Sequence, residues 1–123
     1  MAGSGYRQLD VWKVAMELAE AVYRLNGDLP ADERFGLVAQ MRRAGVSVPS
    51  NIAEGAGRTG HREFLHHLSI ARGSLAELET QLTPSVRLKL LARECAVELW
   101  GLCERVGKML SRLVSSLGKK RTD

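Results

Sequence analysis

HREFLHHLSIARGSLAELETQLTP, residues 61–84, sets Phe64, Leu68, Ala71, Leu75, Leu78 and Leu82 at intervals of four, three, four, three and four. That is the step of a helix presenting one apolar stripe, the pattern by which helices pack on helices. The segment predicts a helix from about His61 that Pro84 bends or ends, with the chain reversing over Leu88 to Leu91. Working outward, the rhythm recurs three times. On the N-terminal side, Val11, Ala15, Leu18, Val22 and Leu25 mark a helix with Asp10 as N-cap and Asn26-Gly27 as stop. Leu37, Met41, Ala44, Val48 and Ile52 mark a second. It is expected to begin just after Pro30, with Asp32 and Glu33 suited to a positive helix N-terminus, to kink at Pro49 and to run to about Gly55 or Gly57. On the C-terminal side, from about Ala92, come Cys95, Leu99, Leu102, Val106, Met109, Leu113 and Leu117. No run of alternating β-branched residues competes. Four amphipathic helices joined by short turns predict an all-α chain folded as an up-down-up-down antiparallel four-helix bundle. The bundle is expected over residues 9–117, preceded by a disordered or partly ordered segment, 1–8, and followed by a basic tail, 118–123.

The chain has 123 residues, enough for one domain. With 45% hydrophobic and 26% charged residues it is neither a disordered chain nor a disulfide scaffold. No long uninterrupted apolar run predicts a membrane span, and Met1 to Gly5 do not open a signal peptide, so a cytoplasmic protein is expected. Cys95 and Cys103 stand eight residues apart on one helix, about 12 Å at 1.5 Å per residue, beyond disulfide reach, and are expected as reduced packing thiols. The net charge of +4 and pI near 9.4 leave room for a polyanionic partner. Charge is uneven: residues 1–33 carry three basic and six acidic groups, residues 34–76 six and two, residues 77–123 nine and six. The basic surface therefore begins at the second helix.

Nothing in the sequence assembles a catalytic or metal centre. Glu63 and His66 form one Glu-x-x-His pair, where a di-iron bundle needs two, and the pair lies well off the apolar stripe of its helix. His61, His66 and His67 have no recognisable nucleophile elbow to serve. Gly55, Gly57 and Gly60 follow no strand and precede no Gly-Lys-Ser/Thr, so they mark a break between helices rather than a phosphate loop. No catalytic residue, metal or cofactor is expected.

The second helix carries the unusual feature. Gln40, Arg43, Ser47, Ser50, Asn51, Glu54 and Arg58 fall within about 100° of one another, opposite the apolar seam. A solvated face favours Lys and Glu; Ser and Asn beside a proline are poor helix formers that propensity would not select. Three readings stand: packing against a helix or subunit, contact with a ligand or nucleic acid, or a plain solvent face. Glu54 would repel a phosphate, which weighs toward packing.

These residues also carry a resemblance. Gly36-Leu37, Gln40 to Ala44 and Ser47-Val48-Pro49-Ser50-Asn51-Ile52-Ala53-Glu54-Gly55 resemble the hallmark of the bacterial four-helix-bundle proteins encoded by intervening sequences in 23S ribosomal RNA genes. Leu9, Val11-Trp12, Phe64, Ala71, Gly73-Ser74, Glu77-Leu78 and Thr80-Gln81-Leu82 extend it over about residues 6–117. Lys89, where the family usually has a turn glycine, and Pro84 are departures. The resemblance implies a ring-like homopentamer. It also implies kinship with the accessory proteins of diversity-generating retroelements, basic pentameric bundles that bind nucleic acid and a reverse transcriptase.

The leading expectation is a non-enzymatic oligomeric module binding RNA or DNA through Arg42, Arg43, Arg58, Arg62, Lys119, Lys120 and Arg121. The competing one is a structural assembly adaptor that docks a protein partner. Trp12, Tyr23 and Trp100 are expected in the core rather than as base-stacking platforms. Trp12, Met16 and Ala19 on the first helix, with Trp100, Cys103, Leu110 and Val114 on the fourth, exceed what one seam needs and predict a subunit contact.

Overall fold

The computed structural model describes residues 2–25 and 34–122, and side chains within them for residues 5–25 and 36–119. The expected stop at Asn26-Gly27 and the start after Pro30 with Asp32 and Glu33 lie outside the described residues. Among those described, all regular structure is helical: a 3-10 helix Ala2–Gln8, α1 Asp10–Leu25, a π-helical turn Arg34–Val38, α2 Ala39–Ala56, α3 His61–Arg87 and α4 Arg93–Thr122. Each α-helix packs on two neighbours, α1 on α2 and α4, and α3 on α2 and α4, which closes a four-helix bundle.

Local chemistry sets the boundaries. The first intrahelical bond of α1 runs from the Lys13 amide to the Leu9 carbonyl, so Asp10 is the first helical residue and not the cap, and it still places a negative charge in the first turn. Within the segment 1–8, expected as disordered or partly ordered, Tyr6 lies edge-on against Trp12, ring centroids 5.1 Å apart. Neither internal proline ends its helix: α2 continues through Pro49 to Ala56, and α3 through Pro84 to Arg87. A proline costs only the bond its missing amide would have made and a local adjustment, which packing on two neighbours absorbs. The helix α4 likewise continues past Leu117 to Thr122 without a break.

The reversal after α3 falls where the sequence places it. The Leu90 amide donates to the Ser85 carbonyl (2.9 Å) and the Lys89 amide to Val86 (3.0 Å), while Lys89 adopts φ 57°. This is a Schellman close whose left-handed residue is ordinarily glycine. Lys89 takes it with a Cβ, at a cost of about 1 kcal/mol. Lys89→Gly is therefore expected to stabilise the chain by about that amount and to raise Tm by about 4 °C in a thermal melt.

The core lines up along the seams of α1, α2 and α3: Val11 to Leu25, Met41 to Ile52 and Leu68 to Leu82 are buried at the expected positions. In α4 the centre is rotated. Ala96, Leu99, Cys103, Val106, Leu110 and Leu117 are buried, while Cys95, Leu102, Met109 and Leu113 flank them, half-buried. Cys103, Leu110 and, on α1, Ala19 thus belong to the interior and are not a surplus for a subunit contact. A helix lodged between two neighbours buries an arc wider than one seam. Burial pushes the Cys103 thiol up to about 12, with the nearby Glu79 carboxylate adding to the shift, so this cysteine is a packing residue with almost no thiolate. No described helix is long and apolar enough to cross a membrane.

Candidate functional site

The polar residues of α2 do not lie opposite its apolar seam as one solvent-facing stripe. Ser47, Asn51 and Glu54, at i, i+4 and i+7, turn toward α3. Ser47 Oγ and Ser74 Oγ share a hydrogen bond of 2.7 Å. Asn51 Nδ2 donates to the Ser47 carbonyl (2.9 Å) and to Ser47 Oγ (3.1 Å), and His67 Nδ1 donates to Asn51 Oδ1 (3.2 Å). A second oxygen, Glu54 Oε2, lies 3.7 Å from the same ring nitrogen, and Glu54 Oε1 accepts from Arg58 at 2.9 Å. Ser47 Oγ, accepting from Asn51, is free to donate to Ser74 Oγ, the direction in which each bond of the chain His67, Asn51, Ser47, Ser74 polarises the next. Gln40, Arg43 and Ser50 remain exposed.

Below this chain the helices nearly touch. A Cβ on Gly55 would lie 2.8 Å from His67 Cβ and 3.0 Å from Phe64 Cδ1. The absence of a side chain at Gly55 brings α3 close enough for His67 to reach Asn51. The run Ser47 to Gly55 therefore builds the α2–α3 seam. Sequence reasoning gave His67 no role beyond that of a general base with nothing to serve; His67 is only 14% exposed, whereas Glu63 and His66 are exposed. The signal was present in the spacing, since His67 and Ser74 stand one heptad apart on α3.

The seven cations singled out from sequence fall in separate places. Arg42 is half-buried with its guanidinium 4.5 Å from the Tyr23 ring centroid, and Arg43 is exposed beside it. Both lie about 20 Å along α2, at 1.5 Å per residue, from its C-terminal end at Ala56, just beyond which Arg58 stands. Arg58 and the exposed Arg62 line a shallow recess with Glu63, His66 and His67 at the α2–α3 turn. Lys119 is exposed on the last turns of α4; the side chains of Lys120 and Arg121 lie outside the described residues. Leu75 packs against Gly107, at 3.5 Å from a Cβ built there, and this antiparallel register places Arg62 at the level of Lys120. Arg58, Arg62 and positions 119–121 thus share one end of the bundle, apart from Arg42 and Arg43. The α3 N-terminus, which has no side-chain cap, opens at the same end.

Two aromatic expectations are corrected. Tyr23 is 49% and Trp100 37% exposed, because each sits at the rim of its helix's buried arc; Trp12 is half-buried. Sequence reasoning also passed over Arg72, Arg105, Lys108 and Arg112, all exposed on the α3–α4 side. For the three on α4, spacing opposite its buried arc was the available signal. Among the described residues no cluster of three or more His, Cys, Asp or Glu is placed to hold a metal ion.

No curated protein matches the chain. Among solved structures, it is similar to a protein of unknown function from the S23 ribosomal protein family of Bacteroides thetaiotaomicron, at 24% identity and a TM-score of 0.79, covering 85% of this chain and 97% of that one. That likeness supports the bundle fold. The profile described as 23S rRNA-intervening sequence protein matches residues 7–112, a span that takes in the whole α2–α3 seam and most of α4. With its motif accounted for as the seam between two helices of a four-helix bundle, the chain belongs to the 23S rRNA-intervening sequence protein family.

Proposed function

We propose that the protein is a non-enzymatic homo-oligomer that binds RNA or DNA through a basic surface. The observation that carries this reading is the antiparallel register that gathers Arg58, Arg62 and the Lys119–Arg121 turn at one end of the bundle. Neither catalytic group nor cofactor is needed. A homopentamer, as the family resemblance implies, would carry about +20 and attract phosphate backbones by counterion release without reading bases. Val97, 62% exposed, and Trp100 stand one turn apart on α4 and offer an apolar surface for subunit contact.

The test is fluorescence anisotropy with labelled RNA and DNA, at salt from 50 to 200 mM, alongside light scattering. Binding that weakens steeply with salt is expected, and Arg58→Ala/Arg62→Ala should weaken it several-fold and flatten the log–log slope by one to two units, about 0.9 per lost phosphate contact. Absence of binding at 50 mM salt would overturn the nucleic-acid reading, and a stable monomer at micromolar concentration the oligomer. The same Val97–Trp100 surface also favours a second reading, an adaptor docking a protein partner, which predicts association insensitive to salt.

A further inference from the structure

We propose that the outer face of α4, carrying Arg105, Lys108, Arg112 and Lys119, binds the phosphate backbone of double-stranded nucleic acid; this rests on the nucleic-acid reading above and adds to it a surface and a ligand form. The four cations, spaced three, four and seven residues apart, lie within about 60° of one another on the helix, opposite the buried arc of Ala96, Leu99, Cys103, Val106, Leu110 and Leu117. All four are exposed, and they span about 21 Å of helix.

A solvated helix face intersperses the two signs. Here no acidic residue shares the arc between Arg105 and Lys119, and the like charges at Arg105/Lys108 and Lys108/Arg112 oppose helix formation at i,i+3 and i,i+4. Lys108 is offset by Glu104 at 3.3 Å. Arg105 and Arg112 make no ion pair among the described residues, nor does Arg72, which joins Lys108 and Arg112 along a shallow α3–α4 groove. The acids of this face, Glu94 and Glu98, lie near the other end of the helix. The basic row runs instead toward the end of the bundle at which Arg62 stands level with the last turn of α4.

The ligand form follows from what accompanies the cations. Single-strand binders place aromatic rings along the basic track for bases to stack on. Residues 101–119 contain no aromatic side chain, and the exposed residues beside the row include Gly101, Ser115 and Ser116, which let a rigid rod lie close. A straight row of charges without stacking platforms suits the dense, regular phosphates of a duplex, about one charge per 1.7 Å of axis.

The experiment uses the full chain and fluorescein-labelled RNA and DNA duplexes, with the corresponding single strands, in anisotropy titrations over a range of salt. Arg105→Ala/Arg112→Ala, which removes no ion pair among the described residues and is expected to melt as the parent does, should bind duplex about tenfold more weakly, with a slope flatter by about 1.8. If that variant binds as the parent does while Arg58→Ala/Arg62→Ala is weakened, this inference fails and the proposed function stands. Tighter binding to single strands than to duplex overturns the duplex assignment. Failure of the parent to bind any of these probes at 50 mM salt overturns both readings. Competition by poly-glutamate as effective as by duplex would assign the row to an acidic protein partner instead.

Discussion

Gly55→Val is expected to lower stability by about 3 kcal/mol, enough to bring Tm down by roughly 10 °C. The Cβ it introduces would meet His67 Cβ at 2.8 Å and the Phe64 carbonyl oxygen at 3.3 Å. Neither is the free end of a flexible side chain, so the strain is relieved only by moving α3 away from α2. That movement pulls His67 from Asn51 and loosens Ile52 and Leu68, both fully buried. The branched γ carbons of valine add to the clash. A control separates this from ordinary glycine effects: a Cβ at Gly73, on exposed α3 surface, meets nothing within 4 Å. Gly73→Ala should therefore stabilise by about 0.5 to 1 kcal/mol through helix propensity alone. Thermal melts of the two variants moving in opposite directions would bear out the close approach. A Gly55→Val protein melting with the parent would refute it.

Asn51→Ala comes next in size, at about 1 to 3 kcal/mol. Its side chain is the centre of the α2–α3 chain, donating twice to Ser47 and accepting from His67. Removal leaves the His67 ring nitrogen facing Glu54 at 3.7 Å as its nearest acceptor and leaves Ser47 with Ser74 alone. The seam is partly exposed, so water recovers some of the loss and the lower half of the range is the expected result. A double-mutant cycle with His67→Phe isolates the contact: a coupling of about 0.5 kcal/mol or more is expected if the two side chains act together. Additive single effects would mean that Asn51 stabilises α2 by itself. A melt and elution volume indistinguishable from the parent would return the stripe to the surface, where it would be available to a ligand.

Sequence periodicity was enough for the helices and their connectivity. Seams at three- and four-residue intervals placed Leu18, Met41 and Leu78 inside, and the start of α3 at His61 and the reversal around Lys89 fell where glycine, turn residues and the end of the stripe put them. The motif around Pro49 was likewise enough to point to the family. In the candidate site, the sequence marked the polar residues of α2 and several of the cations, but it could not say which of them meet.

That was decided by the tertiary structure, for a physical reason that recurs at each correction. A helical wheel fixes the direction of an apolar arc only to within about one residue, and says nothing about the sliding of one helix along another. In α4 a rotation of that size brought Cys103 and Leu110 into the core. In α2 the apolar seam kept its expected direction, and the flank carrying Ser47, Asn51 and Glu54 met α3, where Gly55 let the helices approach and His67 supplied a partner that sequence reasoning had not named. The antiparallel register of α3 and α4 then set Arg62 level with the last turn of α4 and separated both from Arg42 and Arg43. The sequence by itself determined that this chain makes four helices with particular faces; packing between neighbours, through steric fit and paired polar groups, determined which faces meet and which charges remain together at the surface.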